Sequence, residues 1–366
     1  MNKVFASPSR YIQGAGVFNA CADYLKKLGN RVLLITDIIV WEKVGEKLYT
    51  HLTANGLVVT VDKFKGEASM SEINRITEIA KNETCDLIIG LGGGKASDTA
   101  KAVSNFTNTA LAILPTIAST DAPTSSVSAV YSDEGVFENY LFYKKNPDLV
   151  LLDTEVISQA PVRLLKSGIA DAMATWIEAK AVLQNNGENL VGGKQTLASV
   201  AIAEACEDVL FRYSLSAVAA NEAQVVTKAL EAIVEANTLL SGVGFESSGL
   251  GAAHSIHNGF TALTGEIHHL THGEKVAYGT LTQLFLENRT SEEIDPYIRF
   301  YQSLGLPTTL EEMYLSDASY EDFLKVGELA TASAETIHQM PFVITAKEVA
   351  DALLAVDAYV KAYYQK

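Results

Sequence analysis

The pattern of apolar positions changes near the middle of the chain. In the first part, short apolar runs alternate with stretches of helical period. Ala15–Leu28 has helical spacing and stops at Gly29, and Arg31–Asp37 (RVLLITD) is a leucine and β-branched run of strand length. Trp41–Thr53 predicts a helix, Leu57–Phe64 a strand after Gly56, and Glu72–Asn82 a further helix. Asp86–Gly90 (DLIIG) predicts a strand that feeds GLGGGKASDTAKAV, with a helix starting near Ser97. Ala112–Pro115 and Leu149–Leu152 add strand signals. Short strands separated by helices predict a parallel sheet covered on both faces, since each crossover lays a helix over it.

From Pro161 the strand signal fades. PVRLLKSGIADAMATWIEAKAVL reads as helix throughout, with Pro161 placed to open it. Thr196–Phe211, Ser214–Leu240, Leu250–Leu263, Glu274–Glu287, Ser291–Leu304, Tyr320–Leu329 and Ala346–Tyr364 follow as helices. The expected organisation is therefore an α/β nucleotide-binding domain over residues 1–160 and an all-helical domain over residues 161–366. The length of 366 residues suits two domains.

Composition narrows the partners. Twenty-eight basic and 44 acidic side chains give a net charge of −16, which repels nucleic acid phosphates and anionic lipid. A small neutral ligand remains open, and an anionic cofactor would need local donors against the global field. Three cysteines, Cys21, Cys85 and Cys206, have no metal-like spacing and cannot all pair, which points to buried free thiols in a reducing compartment. The start, MNKVFASPSRYIQG, has no secretory pattern, and no apolar stretch approaches a membrane span, so a cytoplasmic protein is expected.

Gly90, Gly92, Gly93 and Gly94 lie between a buried strand and a helix. Glycines there let the backbone approach a pyrophosphate, and the helix start offers unpaired N–H groups; Lys95 adds a point charge. The bland alternative is a tight connection whose glycines serve packing alone. The segment lacks the GxxxxGK[ST] spacing, with Ala96 where a magnesium-holding hydroxyl would sit. Asp37, ending its strand, either accepts from ribose hydroxyls, favouring NAD over NADP, or caps the next turn. Residues 111–131 form a hydroxyl-rich loop with Thr116, Ser119, Thr124, Ser125 and one carboxylate, Asp121. Such a loop suits ribose, an amide and a polyol, or is plain surface.

Five of seven histidines fall between His254 and His272: His254, His257, His268, His269 and His272. His254 and His257 are three apart in a helical stretch, so they share a face. Asp171 interrupts an apolar helical face, where an unpaired carboxylate is expensive. Histidines plus one carboxylate make a catalytic zinc set with an open fourth position, but spacing does not say which histidines coordinate.

GGGKASDTAKAV, PTIASTDAPTSSVSAVY, GIADAMATWIEA, GLGAAHSIHNGFTAL and HGEKVAYGTLTQL together resemble, in order and spacing, the glycerol dehydrogenase branch of the iron-containing alcohol dehydrogenase superfamily. The resemblance runs from YIQGAG to the final helix. It implies the dehydroquinate synthase-like fold, with the active site in the cleft between an α/β and a helical domain. It implies one zinc ion per subunit on Asp171, His254 and His272, and NAD+ at Asp37, Gly92, Gly93, Gly94, Lys95, Asp98, Thr116, Ser119, Ser125, Val127 and Tyr131. Asp121 corresponds to the polyol contact. The implied reaction oxidises glycerol at C2 to dihydroxyacetone, with 1,2-propanediol or 2,3-butanediol as alternative substrates. A homo-oligomer, as large as an octamer, is also implied. Two features depart from the family pattern. Thr175 replaces the fourth, histidine ligand of iron-dependent relatives, which suits zinc, and Ala96-Ser97 replaces the more common Thr-Leu, leaving Lys95 and Asp98 intact.

Overall fold

The computed structural model describes residues 2–133 and 135–364. Among them, two compact units separate. The α/β unit comprises Ala6–Leu165 together with Ser216–Gly242, and residues 2–5, 166–215 and 243–364 make up the helical unit. No helix among the described residues is long and apolar enough to cross a membrane.

The α/β unit is built on six parallel strands: β1 (Tyr11–Gly14), β2 (Arg31–Thr36), β3 (Val58–Lys63), β4 (Leu87–Gly92), β5 (Ala110–Pro115) and, after a separate hairpin of β6 (Val127–Tyr131) and β7 (Phe137–Phe142), β8 (Leu149–Asp153). The sheet order is β1-β8-β5-β4-β2-β3. Every residue of β4 and β8 is buried. Val32, Leu34, Leu87, Ile89, Ala112 and Leu114 pack on one face with Phe18, Leu25 and Leu48. The intervening Leu33, Ile35, Ile88 and Ile113 are also fully buried, so both faces are covered, as the unbroken apolar runs predict. An α/β unit with a parallel sheet together with an all-helical unit is the fold class expected from the sequence.

Several elements differ from the sequence expectation. Ala15–Leu28 forms two short turns, Val17–Ala20 and Ala22–Leu25, because the Asp153 carboxylate takes the Gly16 and Phe18 N–H groups at 2.9 and 3.0 Å. β1 and the antiparallel β6–β7 hairpin had no sequence signal assigned to them. The hydroxyl-rich segment therefore ends in a strand, and Phe137, Tyr140 and Phe142 stack along its partner at 4.8 and 6.5 Å. The glycine-rich helix begins at Gly94, three residues before Ser97. The expected break near residue 212 is absent: one helix runs Leu197–Glu222, and the interruption falls at residues 223–227, where Gln224 takes φ +56°. Beyond it, Lys228–Glu235 continues into a π-helical turn, Ala236–Leu240.

In the helical unit, side chains define the helix starts. Thr271 and Glu274 form a reciprocal capping box at the head of His272–Leu286. Ser319 with Asp322 and Thr345 with Glu348 do the same for Tyr320–Ala330 and Ala346–Tyr363.

Candidate functional site

In an open parallel sheet, ligands bind beyond the carboxyl ends of strands where the chain order reverses. Here β2 sends the chain outward to β3 and then inward to β4, so the reversal lies between β2 and β4. A cavity of about 1230 Å³ opens at that place. Its walls come from segments that follow strand ends: residues 37–44 after β2, 63–66 at β3, 93–96 after β4, 116–117 after β5 and 155–164 after β8.

Asp37 lines this cavity and also caps the next turn, its Oδ1 accepting the Val40 N–H at 2.8 Å. The capping reading of that residue therefore holds, with the side chain on the cavity wall. Gly93 is the N-cap of the helix Gly94–Thr107, and Gly93, Gly94, Lys95 and Thr116 line the cavity. Gly92 ends β4, with its carbonyl accepting from Thr116 N–H at 3.0 Å. Lys43, Lys63 and Lys65 join Lys95 on the wall. Four cations around one cavity supply the local donors that a chain of net charge −16 needs for an anionic ligand. Lys63 Nζ lies 5.0 Å from the Trp41 ring, and Lys95 pairs with Glu67. The lysines at 43, 63 and 65 carry no motif in the sequence; their signal is position, Lys63 ending β3, Lys65 two residues on and Lys43 in the segment that follows β2.

The other sequence-singled positions lie outside that lining. Asp98 is buried and bonds Lys101 Nζ at 2.8 Å. Lys101, also buried, donates to the Ala122 carbonyl at 2.9 Å and to the Val127 carbonyl, and reaches Ser125 Oγ at 3.4 Å. One lysine thus gathers Asp98, Ser125 and Val127 into one network. Tyr131 ends β6 edge-on to Phe137, and burial, then the Asp98 and Glu67 charges, push its hydroxyl above the usual tyrosine range. Ser119 is buried, and Asp121 is buried with its Oδ2 accepting from Ser241 Oγ at 2.8 Å.

In the helical unit, Asp171, His254 and His272 converge, with one ligand atom from each within 4.8 Å of the others. Asp171 Oδ1 lies 3.3 Å from His254 Nε2 and 3.0 Å from His272 Nε2. His272 is the first residue of its helix, and Gly273 behind it permits the approach: a Cβ at 273 would lie 1.8 Å from the Ser167 carbonyl oxygen. Glu178, two turns beyond Asp171 on the same helix face, is fully buried. Its Oε2 lies 2.6 Å from His254 Nδ1, and its Oε1 accepts the Gly251 and His254 N–H groups at 3.0 and 3.1 Å. Glu178 fixes the imidazole so that Nε2 faces Asp171, the arrangement of a carboxylate behind a metal-binding histidine. The sequence held the signal, a second acidic residue seven positions after Asp171 in an apolar stretch, but it was not singled out.

The remaining histidines divide. His257 packs against His272 with ring centroids 4.2 Å apart, and its Nδ1 lies 3.2 Å from Asn258 Oδ1. Burial, then the neighbouring His272, holds it well below the usual histidine range, hence neutral. His268 bonds the Leu263 carbonyl at 2.7 Å and His269 pairs with Glu266 at 2.8 Å, both away from the cluster. Burial would push the Asp171 carboxyl up, yet His272 and His254 hold it below its ordinary value. Burial opposes charging of His254, yet Glu178 and Asp171 raise it well above the histidine range. Two fully buried carboxylates, Asp171 and Glu178, face this pair of imidazoles, and a divalent cation offsets such buried negative charge. Asp171, His254 and His272 can hold such an ion with one position left open.

A family model described as iron-containing alcohol dehydrogenase matches residues 8–154. The chain is 48% identical over 357 residues to a glycolaldehyde reductase of Halobacterium salinarum, covering 98% of each. It is 47% identical over 357 residues to a glycerol dehydrogenase of Citrobacter freundii, again 98% of each. The crystal structure of glycerol dehydrogenase from Schizosaccharomyces pombe superposes with a TM-score of 0.97 at 42% identity, covering 100% of this chain and 92% of that one. The chain therefore belongs to the iron-containing alcohol dehydrogenase family. Within it the likeness is to the glycerol dehydrogenase branch, and the chain is an NAD-dependent dehydrogenase.

Proposed function

We propose that the chain oxidises glycerol at C2 to dihydroxyacetone while NAD+ is reduced to NADH, with a zinc ion held by Asp171, His254 and His272. The observation that carries this reading is the convergence of those three residues on one point, backed by the buried Glu178. Two nitrogens and one oxygen with no fourth protein ligand suit zinc, and Thr175, one turn past Asp171 and buried, offers no imidazole for an iron site. When bound, the metal supplies Lewis-acid charge that makes an alcohol hydroxyl acidic enough to ionise near neutral pH.

The chain's own groups do the rest. Gly93 and Gly94 at the helix start, with Lys43, Lys63, Lys65 and Lys95, receive the cofactor's pyrophosphate. Asp37 accepts from the adenosine ribose hydroxyls and repels a 2′-phosphate. Ser125 and Val127, ordered by the Lys101 network, and Tyr131, in the hairpin, serve the nicotinamide end together with Ser119. Asp121 accepts a hydroxyl of the polyol and orients it. Three free thiols, two of them buried, accord with a cytoplasmic enzyme. Exposed Leu197, Phe211, Tyr213 and Leu215 on one helix accord with a homo-oligomer, which light scattering would size.

A second reading follows from the glycolaldehyde reductase relative. A two-carbon hydroxyaldehyde presents the same pair of adjacent oxygens, and the chain would reduce it with NADH. The test compares NADH formation on glycerol, 1,2-propanediol and 2,3-butanediol with NADH consumption on glycolaldehyde. Each is run untreated, after EDTA and after zinc restoration. Glycerol turnover lost on chelation and regained with zinc supports the first reading. A higher kcat/KM for glycolaldehyde selects the second, and no metal-dependent turnover on any of them overturns both.

A further inference from the structure

Residues 216–242 lie in the helical half of the sequence but pack with the sheet. Their last part is the π-helical turn Ala236–Leu240, whose wider winding changes which side chains share a face. That turn grips the hydroxyl-rich loop at several points. Asn237 Nδ2 donates to the Ala118 carbonyl at 2.9 Å, and Thr124 Oγ1 donates to the Thr238 carbonyl at 2.9 Å. Ser241 Oγ, the next residue after the turn, donates to Asp121 Oδ2 at 2.8 Å. Asn237, Thr238, Ser241 and Thr124 are all fully buried. The approach is tight enough that a Cβ at Gly242 would lie 1.8 Å from Thr124 Oγ1 and 2.8 Å from the Asp121 carbonyl oxygen.

A carboxylate offers roughly four acceptor positions, and a hydroxyl fixed against one of them sets the plane of the others. Asp121 is the one acidic residue of the loop, and Ser241 is built onto an element that cannot shift without breaking the grip on Ala118 and Thr124. We propose that Ser241, presented by the π-helical turn, is a positioning residue that orients the Asp121 carboxylate and thereby sets affinity for the diol. The inference rests on the reading of Asp121 as the polyol contact. Its action on the diol passes through Asp121, so it changes substrate binding without changing the cofactor site.

The test is a double-mutant cycle on the metal-loaded, full-length enzyme, reading glycerol KM, kcat and the NADH dissociation constant by fluorescence. Ser241→Ala raises glycerol KM by about tenfold, as expected for losing one hydrogen bond to a charged group. It leaves kcat unchanged, the signature of lost ground-state orientation, and NADH binding unchanged. Ser241→Thr, which keeps the hydroxyl, restores KM. In an Asp121→Ala background, Ser241→Ala has no further effect. Ser241→Cys, nearly isosteric with a weak donor, carries the same predictions should the alanine variant fail to fold. A glycerol KM that rises in Asp121→Ala but stays normal in Ser241→Ala and Ser241→Cys overturns the role of Ser241. Additive effects in the double variant overturn it as well, since they assign Ser241 a separate, structural role. A normal KM in Asp121→Ala overturns the underlying reading of Asp121 instead.

Discussion

The two units build their sites in different ways. In the α/β unit the cavity is made by position: wherever a parallel strand ends at the switch point, the following residues become wall, and five such segments share the work. In the helical unit the cluster is made by identity: three side chains and one supporting carboxylate, each from a set place on a helix, leave nothing to share. A site of the first kind tolerates the loss of single members, because helix start, backbone and four lysines act together. A site of the second kind does not, because removing one ligand strands buried charge on the others.

That difference orders the expected effects. His272→Ala is the most severe: metal stoichiometry by mass spectrometry and turnover both fall to background. The melting temperature falls as well, since the fully buried Asp171 carboxylate loses a partner. Full zinc occupancy at a normal rate would break the comparison at its root. Glu178→Gln comes next, with metal affinity reduced roughly 10- to 100-fold in a chelator competition while NADH affinity is unchanged. An unchanged metal affinity would show that the cluster, too, shares its work. Lys63→Ala or Lys95→Ala should weaken NADH binding only about two- to fivefold, the range of exposed ion pairs, with the effect fading in salt. A hundredfold loss from either would mean that one lysine, and not the ensemble, holds the cofactor.

The smallest effect uses one buried thiol in each unit as a reporter. Cys21 sits in the sheet core and Cys206 in the helical unit, both fully buried. Burial pushes the Cys21 thiol up to about 12. It therefore stays protonated in the folded unit while an unfolded thiol ionises from about pH 9, and the stability tied to it is intact below that point and declines toward pH 12. Alkylation at pH 8 followed by peptide mass mapping should modify the half-buried Cys85 first. NADH should then slow labelling of Cys21 modestly and zinc that of Cys206. Equal protection of both thiols by either ligand would show that the units do not open separately.

Legibility in the sequence follows the same division. Strands buried on both faces, such as Leu87–Gly92 and Arg31–Thr36, declare themselves as unbroken apolar runs. β1 does not, because Tyr11–Gly14 is only partly buried and carries Gln13. β6 is hidden at the end of a serine and threonine run whose composition reads as loop. The sequence predicts a break in the long helix near Tyr213, yet the chain turns at Gln224, since nothing in local propensity marks that position. Asp171 and His254 were legible as polar residues in apolar surroundings, and the geometry separates His272 from His268 and His269, which spacing could not. Glu178 carries the same signal as Asp171, an acidic residue in an apolar stretch, but its role as the support of His254 depends on a partner 76 residues away.

The return of residues 216–242 to the sheet has a consequence for how the chain is made. A ribosome releases the last strand, β8, well before Asn237, Thr238 and Ser241 emerge. During that interval the hydroxyl-rich loop lacks the contacts that hold Ala118, Asp121 and Thr124. The nascent sheet can assemble from local βα units, but its loop waits for a segment that arrives after 50 intervening residues of the other unit, 166–215, have been synthesised. Cutting the gene after residue 165 would therefore yield a sheet with its cavity lysines in place and its hydroxyl-rich loop unbraced.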